Sequence, residues 1–182
     1  MVAPSWQISI GIAGLLGVVA AGCGNPLPGT VLGTYQVTAM AAANSCGSGL
    51  GAPSAYQFDV QLSETATDST LYWSWLDLTP IASGSLAPVS STDSALQATL
   101  TDSQSSNVDA TDAGAGPCTM DRDDTLVVTL GAGTPPGSFS GTLSYAFTAE
   151  SGSDCSDQLT TEGGQYDTLP CTVAYTLTAA RQ

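Results

Sequence analysis

The sequence predicts an all-β protein folded as a single antiparallel meander of about eight strands. The main observation is a period-2 alternation of apolar and polar residues, as in the segments 56–62 (YQFDVQL) and 138–147 (SFSGTLSYAF). In addition, no stretch after residue 29 shows the apolar stripe of an amphipathic helix, and short turn clusters separate the alternating runs. Such a meander is expected to close as an up-and-down β-barrel or to fold as a two-layer β-sandwich, because both architectures protect the sheet edges.

The first four predicted strands occupy residues 30–43, 55–63, 70–77 and 83–89. In the first strand Tyr35 and Val37 share one face, and the second strand alternates throughout. In the third strand Trp73 and Trp75 lie on one face, while the opposite face is apolar as well. The clusters GSGLGAPS and ETATDS supply the turns that precede the second and third strands.

The last four predicted strands occupy residues 94–102, 119–130, 138–149 and 171–180. Leu96 and Leu100 share a face of the fifth strand, and Leu126 and Val128 share a face of the sixth. The seventh and eighth strands alternate regularly, as SFSGTLSYAF and TVAYTL show. The clusters DATDAGAGP and GAGTPPG supply the turns around the sixth strand.

The charge balance of the 182-residue chain excludes several kinds of function. Sixteen Asp and Glu residues stand against two cationic side chains, Arg122 and Arg181, and there is no Lys or His. Two cations cannot neutralise a row of phosphates, so we expect no nucleic-acid partner. Without His or Lys, a Ser-His-Asp triad, a His-bearing zinc site, a P-loop and a Schiff base are all excluded.

The N-terminus has the pattern of an export signal. Residues 8–21 (ISIGIAGLLGVVAA) form an uncharged apolar run of about fourteen residues, which suits a signal peptide and is shorter than the ~20 residues of a spanning helix. The run ends in AAGC, with Cys23 last. This resembles the lipobox of bacterial lipoproteins, although Ala20 replaces the usual Leu and residues 1–7 carry no Lys or Arg. The resemblance implies cleavage by signal peptidase II and a lipid on Cys23, and Gly24 after it implies the outer membrane.

The other four cysteines are expected to form two disulfides in an exported protein: Cys46, Cys118, Cys155 and Cys171. An up-and-down meander places all four at the same end of the sheet. We favour Cys155–Cys171, which closes a ring of about 15 residues between the last two strands, together with Cys46–Cys118. The alternative, Cys46–Cys171 with Cys118–Cys155, links neighbouring strand ends and stays open.

These features divide the chain into a signal peptide (1–22), a short tether (23–29) and one barrel or sandwich domain (30–182). The tether would enter the sheet at the end opposite to the cysteines, which would point the disulfides away from the membrane. The segment Gly33-Thr34-Tyr35 at the first strand distantly resembles the G-x-W start of lipocalins, with Tyr in place of Trp. That resemblance implies a barrel that carries a small apolar ligand.

Two groups of residues are candidates for a binding site. Trp73, Trp75 and Phe58 could line a ligand cavity, although such a row of aromatic residues is more often core. Asp121, Asp123 and Asp124 form the densest acidic cluster, a weak candidate for Ca²⁺ because Asp121 and Asp123 should point away from Asp124 on a strand. The favoured interpretation of this cluster is a solvated strand start, with Arg122 paired to a neighbouring carboxylate.

We therefore expect a lipid-anchored binding or structural module of the bacterial cell envelope, without a cofactor and without catalysis. Its expected link to the membrane is the lipid on Cys23. One alternative is a lipocalin-like carrier of a small apolar ligand. The other is a carboxylate-dependent glycan hydrolase, which requires two acids roughly 5–9 Å apart.

Overall fold

The protein is a closed eight-stranded antiparallel barrel in which each strand pairs with its neighbours in sequence. The computed structural model describes residues 27–75, 81–89, 95–109 and 116–182, without the side chain of Ile81. The predicted signal peptide, Cys23 and residues 24–26 of the predicted tether lie outside these ranges. The strands are β1 (Thr30–Asn44), β2 (Ala55–Thr65), β3 (Thr70–Trp75), β4 (Ile81–Pro88), β5 (Leu96–Val108), β6 (Cys118–Leu130), β7 (Ser138–Ala149) and β8 (Cys171–Arg181).

The pairing of β1 with β8 closes the sheet. It runs from Tyr35 opposite Arg181 to Asn44 opposite Val173. Closure leaves no free sheet edge, and it confirms the predicted meander in its barrel form rather than as a sandwich. In the part of the chain that is described, the helices are two single 3₁₀ turns, Ser156–Gln158 and Thr160–Glu162, and no helix there could span a membrane.

The main error in the predicted boundaries concerns β5, which continues to Val108 instead of ending at residue 102. The polar sequence DSQSSN hid this extension. In the structure it pairs with β6 residue by residue, up to Val108 opposite Cys118. Side-chain hydrogen bonds support the extension, because Ser103 and Ser105 donate to Asp123 and Asp121 of β6.

The barrel interior is solid at one end, which we call the base: the end where β1 begins and β8 ends. Large apolar side chains with no exposed surface fill it. They include Tyr35, Val37, Val60, Leu62, Leu71, Leu100, Val128 and Leu177. The Tyr35 hydroxyl donates to the carbonyl oxygen of Pro136 at 2.8 Å, which ties the β6–β7 loop to the core. We call the opposite, cysteine-bearing end the mouth.

Both ends of the described chain pack against the base. Leu27 is only 9% exposed, and the Ser63 hydroxyl donates to the carbonyl oxygen of Pro28 at 2.6 Å. At the other end of the chain, the backbone N–H of Gln182 donates to Thr34 at 2.9 Å. Residues 27–29 of the predicted tether are therefore part of the folded barrel.

The four cysteines all lie at the mouth, as predicted, but the favoured pairing is wrong. The disulfides are Cys46–Cys171 and Cys118–Cys155, each with a Cα–Cα distance of 4.9 Å. Cys46 follows β1 and Cys171 begins β8, and these strands are neighbours only because the barrel closes. The ring-size argument for Cys155–Cys171 ignored this closure.

Candidate ligand-binding site

The mouth of the barrel contains an open cavity of about 520 Å³. Its walls come from the upper halves of the strands, where aromatic and charged side chains join aliphatic ones such as Leu126 and Leu143 at the inward positions. The loop between β1 and β2 contributes Leu50 and Pro53 to the rim. This volume is within the range of small-molecule sites, which are typically about 300–1,000 Å³.

The aromatic side of the cavity unites the three residues singled out from the sequence. The ring centroids of Phe58 and Trp75 are 4.5 Å apart, and those of Trp73 and Trp75 are 5.5 Å apart in an edge-to-face arrangement. Tyr56 stacks on Phe58 at 5.3 Å, and its edge meets Tyr175 at 5.0 Å. Each ring is thus fixed by another ring, so the wall is organised before any ligand arrives.

The two tryptophans differ in their role. Trp73 is fully buried and contacts Phe139 of the core, whereas Trp75 is half-buried at the mouth. Trp73 therefore serves as the floor of the cavity and Trp75 as its accessible wall. The indole Nε1 of Trp73 has no hydrogen-bond partner among the described residues. A buried N–H without a partner is unfavourable, and an oxygen of a ligand within reach would relieve it.

Two tyrosines stand on opposite walls and meet across the cavity. The hydroxyl oxygens of Tyr56 and Tyr145 are 3.4 Å apart. Burial is the main effect that raises the pKa of Tyr56 far above its ordinary value of 10.0, and the hydrogen bond to Tyr145 raises it further. Burial likewise raises the pKa of Tyr145, although the hydrogen bond from Tyr56 acts in the opposite direction. Both hydroxyls are therefore neutral hydrogen-bonding groups at physiological pH.

The opposite wall is charged. Arg122 of β6 donates from Nε and Nη2 to the two carboxylate oxygens of Asp124, at 2.9 and 2.8 Å. The Arg122 guanidinium also lies over the Tyr145 ring, 5.5 Å from its centroid. Asp102 of β5 lines the same cavity and accepts a hydrogen bond from Gln104 at 3.0 Å. The bidentate geometry and the tyrosine ring fix the guanidinium in place.

Asp124 is partly desolvated by the barrel wall. Burial is the largest effect on this carboxyl and raises its pKa above the ordinary 3.8. The hydrogen bonds and positive charge of Arg122 lower the pKa, while the neighbouring charges of Asp102 and Asp123 raise it. The net shift is upward, because one guanidinium does not offset both the lost water and two further carboxylates.

The acidic cluster on β6 is divided between the two faces of the strand. Asp121 and Asp123 lie on the opposite face from Arg122 and Asp124, where Ser105 and Ser103 donate to them. The three carboxylates considered for Ca²⁺ therefore do not converge. Among the residues that the structure describes, no group of three or more His, Cys, Asp or Glu side chains could hold a metal ion.

A disulfide-held segment borders the mouth. Residues 150–170 connect β7 to β8, and the disulfides fix Cys155 to β6 and Cys171 to the end of β1. Within it, Tyr166 packs on Phe147, a cavity residue, with ring centroids 5.5 Å apart. The segment therefore packs against the cavity wall at the mouth.

Sequence reasoning missed the charged side of the cavity. It assigned Arg122 to a carboxylate partner, and this pair exists, but it placed the pair in solvent at a strand start. The available signal was the alternation itself: Arg122 and Asp124 continue the inward face of Leu126 and Val128. In the same way Asp102 continues the inward face of Leu100.

In the sequence, Asp59 and Asp77 are the acids that lie closest to apolar runs, as a buried catalytic carboxyl would. Asp59 accepts a hydrogen bond from the side chain of Gln182 at 2.8 Å near the base, and Asp77 lies outside the described residues. The described acids that line the cavity are instead Asp102 and Asp124. Comparisons with protein-family models, with curated proteins and with solved structures found no match for this chain.

Proposed function

We propose that this protein is a small-molecule-binding barrel of the bacterial cell envelope, anchored by a lipid on Cys23. The observation that carries the binding function is the cavity of about 520 Å³ with a preformed aromatic wall. A purely structural barrel has no need to leave one half of its interior open, because filling it with aliphatic side chains would stabilise the fold. The solid base and the hollow mouth of one barrel are therefore best explained by a ligand.

The envelope location is supported by the disulfides and by the N-terminal pattern. Two disulfides suit an exported protein. The AAGC sequence before Gly24 favours lipidation at Cys23 and the outer membrane. Because residues 27–29 pack on the base, the four residues between the lipid and Leu27 would hold the base near the bilayer and turn the mouth outward.

Binding is favoured over catalysis because one of the two described acids that line the cavity, Asp124, is paired with Arg122. Both oxygens of Asp124 accept hydrogen bonds from Arg122, which commits this carboxyl to an ion pair instead of to proton transfer to a glycosidic bond. Glycan hydrolysis needs two available carboxyl groups. We therefore assign Asp102 and Asp124 to ligand recognition and not to chemistry.

The binding function is tested by titrating the oxidised full-length protein with N-phenyl-1-naphthylamine, a neutral apolar dye that fluoresces when bound. We expect saturable binding at one site. Trp75→Ala should weaken this binding by about tenfold or more, since the stacking of an aromatic ring system on an aromatic side chain contributes about 1–3 kcal/mol. The matched control is Tyr72→Ala, on the same strand but the opposite face, which should bind normally. Absence of saturable binding would overturn the function.

The lipid anchor has a separate test. Mass spectrometry of the membrane fraction should show a chain that begins at Cys23 and carries acyl groups, and Cys23→Ser should release the protein from membranes. An unmodified Cys23 thiol in soluble protein would contradict the anchor. The result would leave the binding function intact, because the described lining of the cavity comes from residues between Leu50 and Tyr175 of the barrel itself.

A further inference from the structure

We propose that the ligand of the mouth cavity is an organic cation, an ammonium compound with an apolar or aromatic body. This inference rests on the proposed binding function and names the ligand class. It is carried by the charge of the cavity, by the engagement of Arg122 and the remote position of Arg181, and by the aromatic wall.

The charged wall has a net negative charge. Two carboxylates, Asp102 and Asp124, and one guanidinium, Arg122, line the cavity. Asp124 and Arg122 neutralise each other through two hydrogen bonds. The remaining charge belongs to Asp102, which among the described residues accepts a hydrogen bond from the neutral amide of Gln104. A ligand in the cavity therefore meets one carboxylate that no cation of the protein balances.

The protein has no side-chain cation to offer to an anionic ligand. Lys and His are absent from the whole sequence, and of the two Arg it is Arg122 that lines the cavity. Arg122 is held by Asp124 and by the Tyr145 ring. Arg181 pairs with Tyr35 in the sheet register at the base, at the far end of the barrel. A fatty acid or another carboxylate would thus enter a negative cavity of a protein with net charge −14.

The aromatic wall suits a cation as well as an apolar body. Phe58 and Trp75 are half-buried at the mouth and Tyr145 stands on the opposite wall, so rings border the cavity on two sides. The face of an aromatic ring attracts a cation, and recognition of quaternary ammonium groups by aromatic side chains uses this attraction. Arg122 over Tyr145 already shows that this wall accepts a cation on a ring. Asp102 adds the opposite charge that an ammonium group needs.

The test compares three probes that share a benzyl body and differ in charge: benzyltrimethylammonium, its neutral isostere neopentylbenzene, and phenylmethanesulfonate. Each is titrated against the dye-loaded, oxidised full-length protein, and displacement gives its affinity. We expect the ammonium probe to bind about tenfold or more tighter than the neutral isostere, since cation–π attraction reaches ~2 kcal/mol in a desolvated site. The sulfonate should bind weakest.

Two variants test whether the carboxylate of Asp102 causes the preference for a cation. Asp102→Asn should lower the ratio of the affinities for the ammonium probe and for the neutral isostere by about three- to tenfold. The change should come from weaker binding of the ammonium probe. The matched control is Asp123→Asn, which makes the same change of net charge on the outer face of the barrel. It should keep the full preference, because Asp123 does not line the cavity. Both variants change the net charge of the protein by the same amount, so a difference between them reports the position of the carboxylate.

The outcomes distinguish the two claims. If the dye does not bind, the proposed function fails. If the dye binds but the neutral isostere or the sulfonate binds as tightly as the ammonium probe, the cavity is a binding site without cation preference and the inference is overturned. It is also overturned if Asp123→Asn removes the preference as strongly as Asp102→Asn, since the effect would then arise from net charge alone.

Discussion

Asp102 and Asp124 stand directly opposite each other on the neighbouring strands β5 and β6, and both line the cavity at the barrel mouth. Like charges in this cross-strand position are destabilising. The protein tolerates them because Arg122 takes both oxygens of Asp124. This places three charged side chains inside the mouth, and the stability of the barrel should depend on how they are balanced.

Replacement of Arg122 should destabilise the barrel in a pH-dependent manner. Arg122→Gln leaves Asp124 half-buried without its cation, and we expect the free energy of unfolding at neutral pH to fall by about 1–3 kcal/mol. The loss should shrink on acidification, because a protonated Asp124 no longer needs the guanidinium. Urea denaturation at several pH values measures this effect, and a loss that is independent of pH would contradict it.

The Asp102 carboxylate contributes to the same balance from the other strand. In the wild type the pKa of Asp124 in the folded protein lies above its ordinary 3.8, so the folded state binds the proton of this carboxyl more tightly than the unfolded chain. This proton therefore stabilises the fold fully below pH 3.8, and the stabilisation is lost as the pH rises through the folded pKa. Asp102→Asn removes one charge that raises the pKa of Asp124. In the Arg122→Gln background, this second change should restore part of the stability at neutral pH.

Alkaline pH should unfold the protein through its buried tyrosines. Burial raises the folded pKa values of Tyr56, Tyr145 and Tyr175 above 10.0. Their contribution to stability is therefore complete below pH 10.0 and is lost as the pH rises above it, where only the unfolded chain ionises readily. We expect the midpoint of urea denaturation to fall steeply above pH 10.0, and Tyr56→Phe to make this fall shallower. If the urea midpoint of Tyr56→Phe falls with pH as steeply as that of the wild type, ionisation of Tyr56 does not contribute to the alkaline unfolding.

The two disulfides should differ in their contribution to stability. Cys46–Cys171 joins residues 125 positions apart and Cys118–Cys155 joins residues 37 apart. On the chain-entropy model these rings stabilise by about 5 and about 4 kcal/mol. Denaturation of the two double Cys→Ser variants should therefore show the larger loss for the pair that joins β1 to β8. The reverse order would show that local contacts of the 150–170 segment outweigh loop entropy.

The contrast between a solid base and a hollow mouth can be tested with one substitution in two places. Leu177 is fully buried in the base, and Leu177→Ala should lower the free energy of unfolding by about 2–5 kcal/mol. Leu50 is half-buried at the rim of the cavity, and Leu50→Ala should cost about 1 kcal/mol. Thermal and urea denaturation of both variants check this. Equal losses would indicate that the mouth is packed as tightly as the base.

The sequence predicted local structure better than closure. Alternation identified the strands and put the cysteines at one end, because side-chain direction in a strand depends only on the position along it. Barrel closure depends on contacts between the first and last strands, which no local pattern encodes. The disulfide partner of Cys46 follows from that closure, and so the favoured pairing was wrong and the alternative, Cys46–Cys171 with Cys118–Cys155, is the one observed.

The candidate site was likewise predicted only in part: the sequence pointed to its aromatic residues and not to its charged ones. Trp73, Trp75 and Phe58 stood out because large aromatic residues are conspicuous in an alternating strand. Arg122 and Asp124 were judged as surface charges because charged residues are usually solvated. The alternation puts them on the inward face of Leu126 and Val128, and the pairing of the polar extension of β5 with β6 makes that face part of the barrel interior. Its side chains gave no apolar signal, so composition suggested a loop.

The position of both chain ends at the base has a practical consequence for handling the protein. Gln182 is hydrogen-bonded to Thr34, and Leu27 is packed a short distance away along the same end of the barrel. A C-terminal affinity tag or fluorescent fusion would crowd the side of the proposed anchor and leave the mouth unobstructed. A label meant to report from the mouth belongs instead in the loop between β1 and β2, for example at the exposed Ser48.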